Sequence, residues 1–291
     1  MLTDHKDYRF NRWEIAYRIG GKGMFQIVPS PSYGWTADPF LVEYRGEVYL
    51  FAEIFLWKSE RNGVIGYCKF DGNGFGDWSV TMDRHWHLSY PFVFTKNDKL
   101  YMVPESYQLG EVALYELIDF PDKWKKIKTY IHNVEYCDST FFEYKNGKKY
   151  MLTFEGGEKS PHGRSYIFEV TKAGVKNRRY ISDRLDGARC GGKVFSENGR
   201  MVRVGQNCIG EYGKGLVFYE IDDVEPEYRE HEIKRIEAAD IKGNFEREHT
   251  GIHTYNRLHD IEVIDLKYVC QSEEEKCASD RVRKVFVNKY A

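Results

Sequence analysis

Four acidic side chains stand where acids are least expected. Asp38 lies inside the apolar string Trp35-Thr36-Ala37-Asp38-Pro39-Phe40-Leu41, Glu53 follows Tyr49-Leu50-Phe51-Ala52, and Glu105 follows Tyr101-Met102-Val103-Pro104. Asp138 leads a further run, Asp138-Ser139-Thr140-Phe141-Phe142. Ionised groups are seldom buried unless paired, and burying one without a partner costs free energy. Such acids either accept backbone N–H bonds at strand ends or perform chemistry. Paired carboxylates suit the glycosidic bond. One protonates the leaving oxygen while the other attacks or stabilises an oxocarbenium-like centre, and their separation selects retention or inversion. Proximity also drives their pKa values apart, which separates acid from base. Arg189 and Arg203, with Lys193 between them, offer bidentate contacts to phosphate or carboxylate; alternatively they neutralise Asp38 or Asp138. His253, in Gly251-Ile252-His253-Thr254, suits a proton donor, a metal ligand or a satisfied structural histidine. No organic cofactor is indicated, and a divalent cation near His253 stays open. Tyr90, Gln206 and Trp35 complete the set as substrate contacts.

These residues matter only if the fold gathers them, and internal repetition says that it does. Five segments compare, the first four sharing one plan and the fifth matching more weakly, without a clear Gly turn: ADPFLVEYRGEVYLFAE (37–53), SYPFVFTKNDKLYMVPE (89–105), CDSTFFEYKNGKKYMLTFE (137–155), ARCGGKVFSENGRMVRVGQ (188–206) and IHTYNRLHDIEVIDLKY (252–268). A polar or aromatic residue leads, a short apolar strand follows, a polar turn comes next, and a second apolar strand ends near Glu or Gln. Asn-Gly and Asn-Asp turns between apolar runs are strong hairpin signals. The leading positions Asp38, Tyr90, Asp138, Arg189 and His253 are spaced by 52, 48, 51 and 64 residues. Hairpin repeats of about 50 residues are the signature of propeller blades. The chain is therefore expected to be all-β, one five-bladed β-propeller domain over residues 1–291 with four-stranded antiparallel blades. Blade-leading segments fall near 37, 89, 137, 188 and 252. In such a ring the leading residues converge on one mouth, flanked by Glu53, Glu105 and Gln206, with Glu155 slightly displaced.

Outer strands are expected at 62–70, 110–118, 163–171 and 213–222. The last strand of the fifth blade comes either from 282–290 or from the N-terminal segment closing the ring. Residues 225–240 are charged all round and read as a decorated loop or one surface helix. The run Glu273-Glu274-Glu275-Lys276 reads as a solvated turn.

Composition narrows the function. A formal net charge of −2 over 291 residues gives no broad footprint for nucleic acid or an anionic membrane. No apolar stretch approaches the roughly 20 residues of a membrane span. The start MLTDHKDYRFNRWE lacks a signal-peptide apolar region. The six cysteines form no C-x-x-C pair, so reduced thiols and a cytoplasmic location are expected. Nothing specifies an oligomeric state. Nucleotide-binding glycine loops, nucleophile elbows and zinc-protease motifs are absent. The aromatic share, 16% of residues, suits both strand cores and sugar-facing surfaces; His85, Trp86 and His87 form a weak candidate for a stacking rim.

WTADPFLVE (35–43) with YLFAE (49–53), SYPFVF (89–94) with YMVPES (101–106), FPDKW (120–124), ARCGGKVF (188–195), the run from Arg203 through Gln206-Asn207-Cys208 to Tyr212-Gly213, and GIHTYN (251–256) together resemble one family. It is the N-terminal domain family of plant glucosamine inositolphosphorylceramide transferases, with free-standing bacterial relatives. The likeness covers roughly residues 30–266 and extends to the wider five-bladed clan of family 43 glycoside hydrolases, arabinanases and levansucrases. That clan implies three carboxylates: an Asp base on the first blade, a pKa-modulating Asp on the third and a Glu acid on the fourth. Asp38 matches the first and Asp138 the second. The fourth blade opens Ala188-Arg189-Cys190-Gly191-Gly192 without a Glu, leaving Glu105 or Glu155 to substitute. An arginine there favours a donor that carries phosphate. The resemblance implies a carbohydrate-active protein of glycoconjugate or surface-polysaccharide assembly, leaning toward an enzyme that acts like a glycosyltransferase on a carbohydrate, sugar-nucleotide or sugar-phosphate ligand. A family 43-type hydrolase and a non-catalytic glycan-binding propeller are the alternatives.

Overall fold

A computed structural model describes residues 11–57, 63–156 and 160–269. Strands β1 (Asn11–Ile19) and β2 (Gln26–Val28) come first. Blade 1 follows as β3 (Gly34–Tyr44), β4 (Glu47–Leu56), β5 (Gly63–Lys69) and β6 (Ser79–Met82). Blade 2 is β7 (Ser89–Lys96), β8 (Lys99–Glu105), β9 (Glu111–Asp119) and β10 (Lys123–His132). Blade 3 is β11 (Tyr136–Glu143), β12 (Lys149–Glu155), β13 (Arg164–Val170) and β14 (Val175–Ser182). Blade 4 has a split inner strand, β15 (Asp186–Cys190) and β16 (Phe195–Glu197), then β17 (Arg200–Asn207), β18 (Gly215–Asp223) and β19 (Arg229–Glu237). Blade 5 begins with β20 (Tyr255–Leu258) and β21 (Ile261–Val269) and is completed by β1 and β2, in the order β20-β21-β1-β2. All pairings within the blades are antiparallel.

Ring closure thus falls to the N-terminal segment. Strand β1 pairs with β21 from Asn11↔Val269 to Ile19↔Ile261. The alternative, residues 282–290, and the acidic run at 273–276 lie outside the described residues. One expectation is corrected: 225–240 is neither a decorated loop nor a surface helix but mainly β19, ended by a single 3-10 turn at Ala238–Asp240. Its charges reflect an outermost strand with water on its far side, where alternation has little to bury.

The expected turns hold. Arg45-Gly46, Asn97-Asp98 and Asn198-Gly199 all have positive φ at both positions, the backbone that two-residue hairpins require. Blade 3 uses a longer turn, closed by the Tyr144 N–H to the Lys148 carbonyl at 2.9 Å. The core is aromatic: Phe40, Phe51, Tyr90, Phe92, Trp124, Tyr136 and Tyr150 are among the buried rings of one large cluster that runs through blades 1 to 3 and reaches Cys190 and Ile221 of blade 4. Four described cysteines, Cys68, Cys137, Cys190 and Cys208, are buried free thiols.

One local feature recurs and positions the site. Near its start, the inner strand of blades 1, 2 and 3 carries a bulge. Its register breaks between Ala37 and Phe40, Ser89 and Phe92, and Cys137 and Thr140. The residue inside each bulge, Asp38, Tyr90 or Asp138, has a left-handed φ of 52°, 41° or 52°. Bulges of this kind re-aim side chains, and here they turn the repeat's leading residues toward the axis.

Candidate active site

Thirteen residues line a narrow cleft at the axis, with about 390 Å³ of empty space including open solvent. Blade 1 supplies Trp35, Ala37, Asp38, Glu53 and Phe55, while blade 2 and its lead-in supply His87, Ser89 and Glu105. Asp138, Arg189, His253, Tyr212 and Trp13 complete the wall. Asp38, Glu53, Glu105, Asp138, Arg189, His253 and Trp35 are therefore brought together as the repeat suggests.

Four expected members lie elsewhere. Tyr90 directs its backbone N–H to Asp38 Oδ2 at 3.1 Å, but its side chain crosses the axis, away from the cleft. Its hydroxyl meets Thr140 Oγ1 and the Gly192 N–H, both at 2.8 Å. It fastens blades 2, 3 and 4 together instead of contacting substrate. Arg203 is bound to Glu230, Nε to Oε2 at 2.7 Å and Nη2 to Oε1 at 2.6 Å. Strand periodicity explains this: Arg203 and Gln206 have opposite parity and so face opposite sides of the blade. Gln206 acts at one remove, its amide donating to Asp138 Oδ2 at 3.0 Å and the Cys190 carbonyl at 2.8 Å. Glu155 is also outside, held by the Tyr166 hydroxyl at 3.1 Å and by Arg178. Of the histidine-tryptophan rim, His87 enters the cleft and His85 is exposed.

The two aspartates differ sharply in surroundings. Asp138 pairs with the Arg189 guanidinium, and both residues are at most 4% exposed. Arg189 serves this carboxylate first, and its guanidinium also lies 5.1 Å from the Tyr212 ring centre. The backbone N–H of Asp138 donates to Glu105 Oε2 at 2.9 Å. Among the described residues no arginine is paired with Asp38. Thr254 Oγ1 donates to its Oδ1 at 2.9 Å, and His253 Nε2 stands 3.6 Å from the same oxygen. Burial pushes the Asp38 carboxyl up to about 6, with Asp138 and Asp265 adding to the rise and His253 and Thr254 opposing it.

Asp265 is a member that sequence reading missed. It is wholly buried and accepts three backbone donors. Its Oδ1 takes the N–H groups of His253 at 3.0 Å and Thr254 at 2.9 Å. Its Oδ2 takes the Asp38 N–H at 3.0 Å and faces His253 Nδ1 at 2.7 Å. Burial opposes the charged form of His253, yet Asp265 above all, with Asp38 and Asp138, raises its pKa above the ordinary value. The available signal was an acid inside the buried run Val263-Ile264-Asp265-Leu266. His87 is fixed differently. Its Nδ1 accepts the Gly63 N–H at 3.1 Å, so the proton of the neutral ring sits on Nε2, 3.5 Å from Glu53 Oε1.

Asp38, His253 and Asp265 offer ligand atoms within 4.8 Å of one another, the arrangement sought for a cation. Asp265 already accepts three backbone N–H groups, and its Oδ2 faces His253 Nδ1 at 2.7 Å.

Aromatic rings form the rest of the wall. Trp35 stacks on Phe55 with centroids 4.6 Å apart and planes 8° apart. Trp13 stacks on His253 at 3.9 Å and 21°, with Tyr212 edge-on to both. The Trp35 indole N–H is buried with no acceptor among the described residues. Trp13 and Tyr212 were not anticipated: one arrives on the closing strand β1, the other on the loop between β17 and β18.

A ring of five four-stranded antiparallel blades defines a five-bladed β-propeller, the fold of the family 43 glycoside hydrolases. The fold is similar to that of a thermostable family-43 glycoside hydrolase, with a TM-score of 0.57 and 13% identity, covering 85% of this chain and 93% of that one. The catalytic domain of Coprinopsis cinerea GH62 alpha-L-arabinofuranosidase gives a TM-score of 0.58 and 12% identity over 89% and 98% of the two chains. Sequence is more specific. Residues 13–269 match the family model described as Glucosamine inositolphosphorylceramide transferase 1, N-terminal, and the chain belongs to that family. It is 34% identical over 245 residues to Glucosamine inositolphosphorylceramide transferase 1 of Arabidopsis thaliana, covering 79% of this chain and 31% of the relative. With the Oryza sativa subsp. japonica protein of the same name it shares 32% over 209 residues, covering 67% and 27%. The chain thus spans under a third of the length of these relatives.

Proposed function

We propose that the axial cleft binds a sugar unit and catalyses glycosyl transfer at its anomeric centre, within glycoconjugate or surface-polysaccharide assembly. The observation that carries this reading is the asymmetry of two aspartates in equivalent bulges. Asp38 is buried and pushed up to about 6, whereas Asp138 is held by Arg189 and Gln206. Separated carboxylates are what acid–base work at a glycosidic centre requires. Asp38 takes the proton of the acceptor hydroxyl as that oxygen bonds to the anomeric carbon. The bond to the leaving oxygen breaks with its electron pair on oxygen, and Glu105, the cleft acid beside Asp138, returns a proton to it.

Buried aromatic walls favour a sugar hydroxyl over water as acceptor, because a dry site suppresses hydrolysis. Arg203 lies outside the cleft and Arg189 already faces Asp138, so the phosphate-carrying donor suggested by two converging arginines loses one of its two supports. The four buried free thiols agree with a reducing compartment. The test is a screen of aryl glycosides and nucleotide sugars against the wild type and Asp38→Asn. Turnover by the wild type with a loss of at least about 100-fold in the variant is expected. Equal turnover by both on every active substrate would remove Asp38 from the chemistry.

A further inference from the structure

We propose that Asp265, His253 and Asp38 form a chain of alternating charge in which His253, pinned by Asp265, is a positioning residue that keeps Asp38 in its carboxylate form inside the cleft. The inference deepens the functional reading above and rests on it for the role of Asp38. Geometry carries it. Asp265 is wholly buried, accepts three backbone N–H groups and faces His253 Nδ1 at 2.7 Å. It holds both the backbone N–H and the Nδ1 side of the same histidine, so the ring cannot turn without losing its partner. Stacking on Trp13 at 3.9 Å and the edge of Tyr212 at 5.4 Å fix the ring plane. Nε2 is thereby left facing Asp38 Oδ1 at 3.6 Å.

A carboxylate at the position of Asp38 needs such a neighbour. It is 6% exposed, receives one hydroxyl and one backbone N–H, and faces the negative charges of Asp138 and Asp265. Burial and like charge both favour its neutral form, while an imidazolium about 4 Å away favours the charged one. The groups around His253 are Asp265 on β21, Asp38 on β3, Asp138 on β11, Trp13 on β1 and Tyr212 on the β17–β18 loop. Its acidic neighbours outnumber cations there, which agrees with the upward direction of its pKa. Asp38 and His253 then titrate as a coupled pair.

The test needs no substrate. Imidazole 15N spectra of the whole protein are recorded from acid to alkaline pH, with His253→Gln identifying the signals of His253. Both ring nitrogens of His253 are expected to stay protonated above the ordinary histidine range, and Asp38→Asn is expected to lower the midpoint by about one pH unit. Because linkage is reciprocal, His253→Gln should raise the Asp38 carboxyl midpoint, read by 13C, by a similar amount. Millimolar calcium or magnesium should leave the His253 signals unmoved. A ring neutral at pH 7, a midpoint indifferent to Asp38→Asn, or loss of the ring protons on adding either cation would each overturn the proposal. Asp265→Asn alters the acceptor of three backbone N–H groups and risks the fold, so the other two variants carry the test. Once a substrate is in hand, His253→Gln should move the acidic limb of the pH–rate profile upward. A lower rate with an unmoved limb would assign His253 a merely structural role. A failed sugar screen would count against the functional reading and leave the titration result standing.

Discussion

Arg189→Met removes the only arginine in the cleft wall described here and leaves Asp138 buried without its counter-charge. Arg189 and Asp138 are 4% and 3% exposed, so solvent cannot replace the lost partner, and Gln206 offers one amide donor to the same oxygen. Breaking a buried pair from one side costs about 3–5 kcal/mol. For a chain of this size that is about 2 °C per kcal/mol, or a fall in Tm of roughly 6–10 °C. The pH dependence follows from its origin. An unpaired buried carboxylate has a raised native pKa, so the native state gains protons more readily than the unfolded state, and the deficit is largest in neutral to alkaline buffer. It shrinks as pH falls and Asp138 becomes neutral. Adding Asp138→Asn to Arg189→Met removes the orphan charge and should restore a large part of the loss at pH 8. The assay is urea unfolding at pH 5 and pH 8 for both single variants and the double. An Arg189→Met protein as stable as wild type at pH 8, or a double variant no more stable than Arg189→Met, would refute the reasoning.

Asp38→Asn should stabilise the fold at pH 7.5. The Asp38 carboxyl rises from 3.8 to about 6 through burial, so wild-type stability falls as pH climbs between these values and the deficit, about 3 kcal/mol at most, persists above them. Denaturation of both proteins at pH 4 and 7.5 checks this, and a variant weaker than wild type at pH 7.5 would contradict it. Glu230→Gln should destabilise by about 3–5 kcal/mol by orphaning buried Arg203, with ligand binding in the axial cleft unchanged. A lost affinity without lost stability would return Arg203 to the binding site.

Much of the fold was legible because each blade repeats the same hairpin chemistry at nearly constant spacing. Asp38, Asp138, Arg189 and His253 could be gathered from sequence since equivalent positions in a ring must meet. Glu53 and Glu105 followed because they lie near or at the ends of strands that run beside those positions. Arg203 was misplaced because the repeat fixes where a residue lies along a strand, while parity decides which face it takes. Tyr90 shares the bulge of the two aspartates, but its length carries the hydroxyl across the axis to Thr140 and Gly192. Trp13 was hidden because nothing local identifies β1 as the strand that closes the ring. The charge pattern of β19 imitates a loop or a solvated helix because an outermost strand buries little on either face.

A crystal of the protein soaked with a monosaccharide or aryl glycoside selected by the screen tests the central claim most directly. The expected complex seats the sugar in the axial cleft, with its anomeric carbon beside Asp38 and a ring oxygen or hydroxyl accepting the Trp35 indole N–H. A sugar bound anywhere else on the propeller, with the cleft empty, would contradict the account.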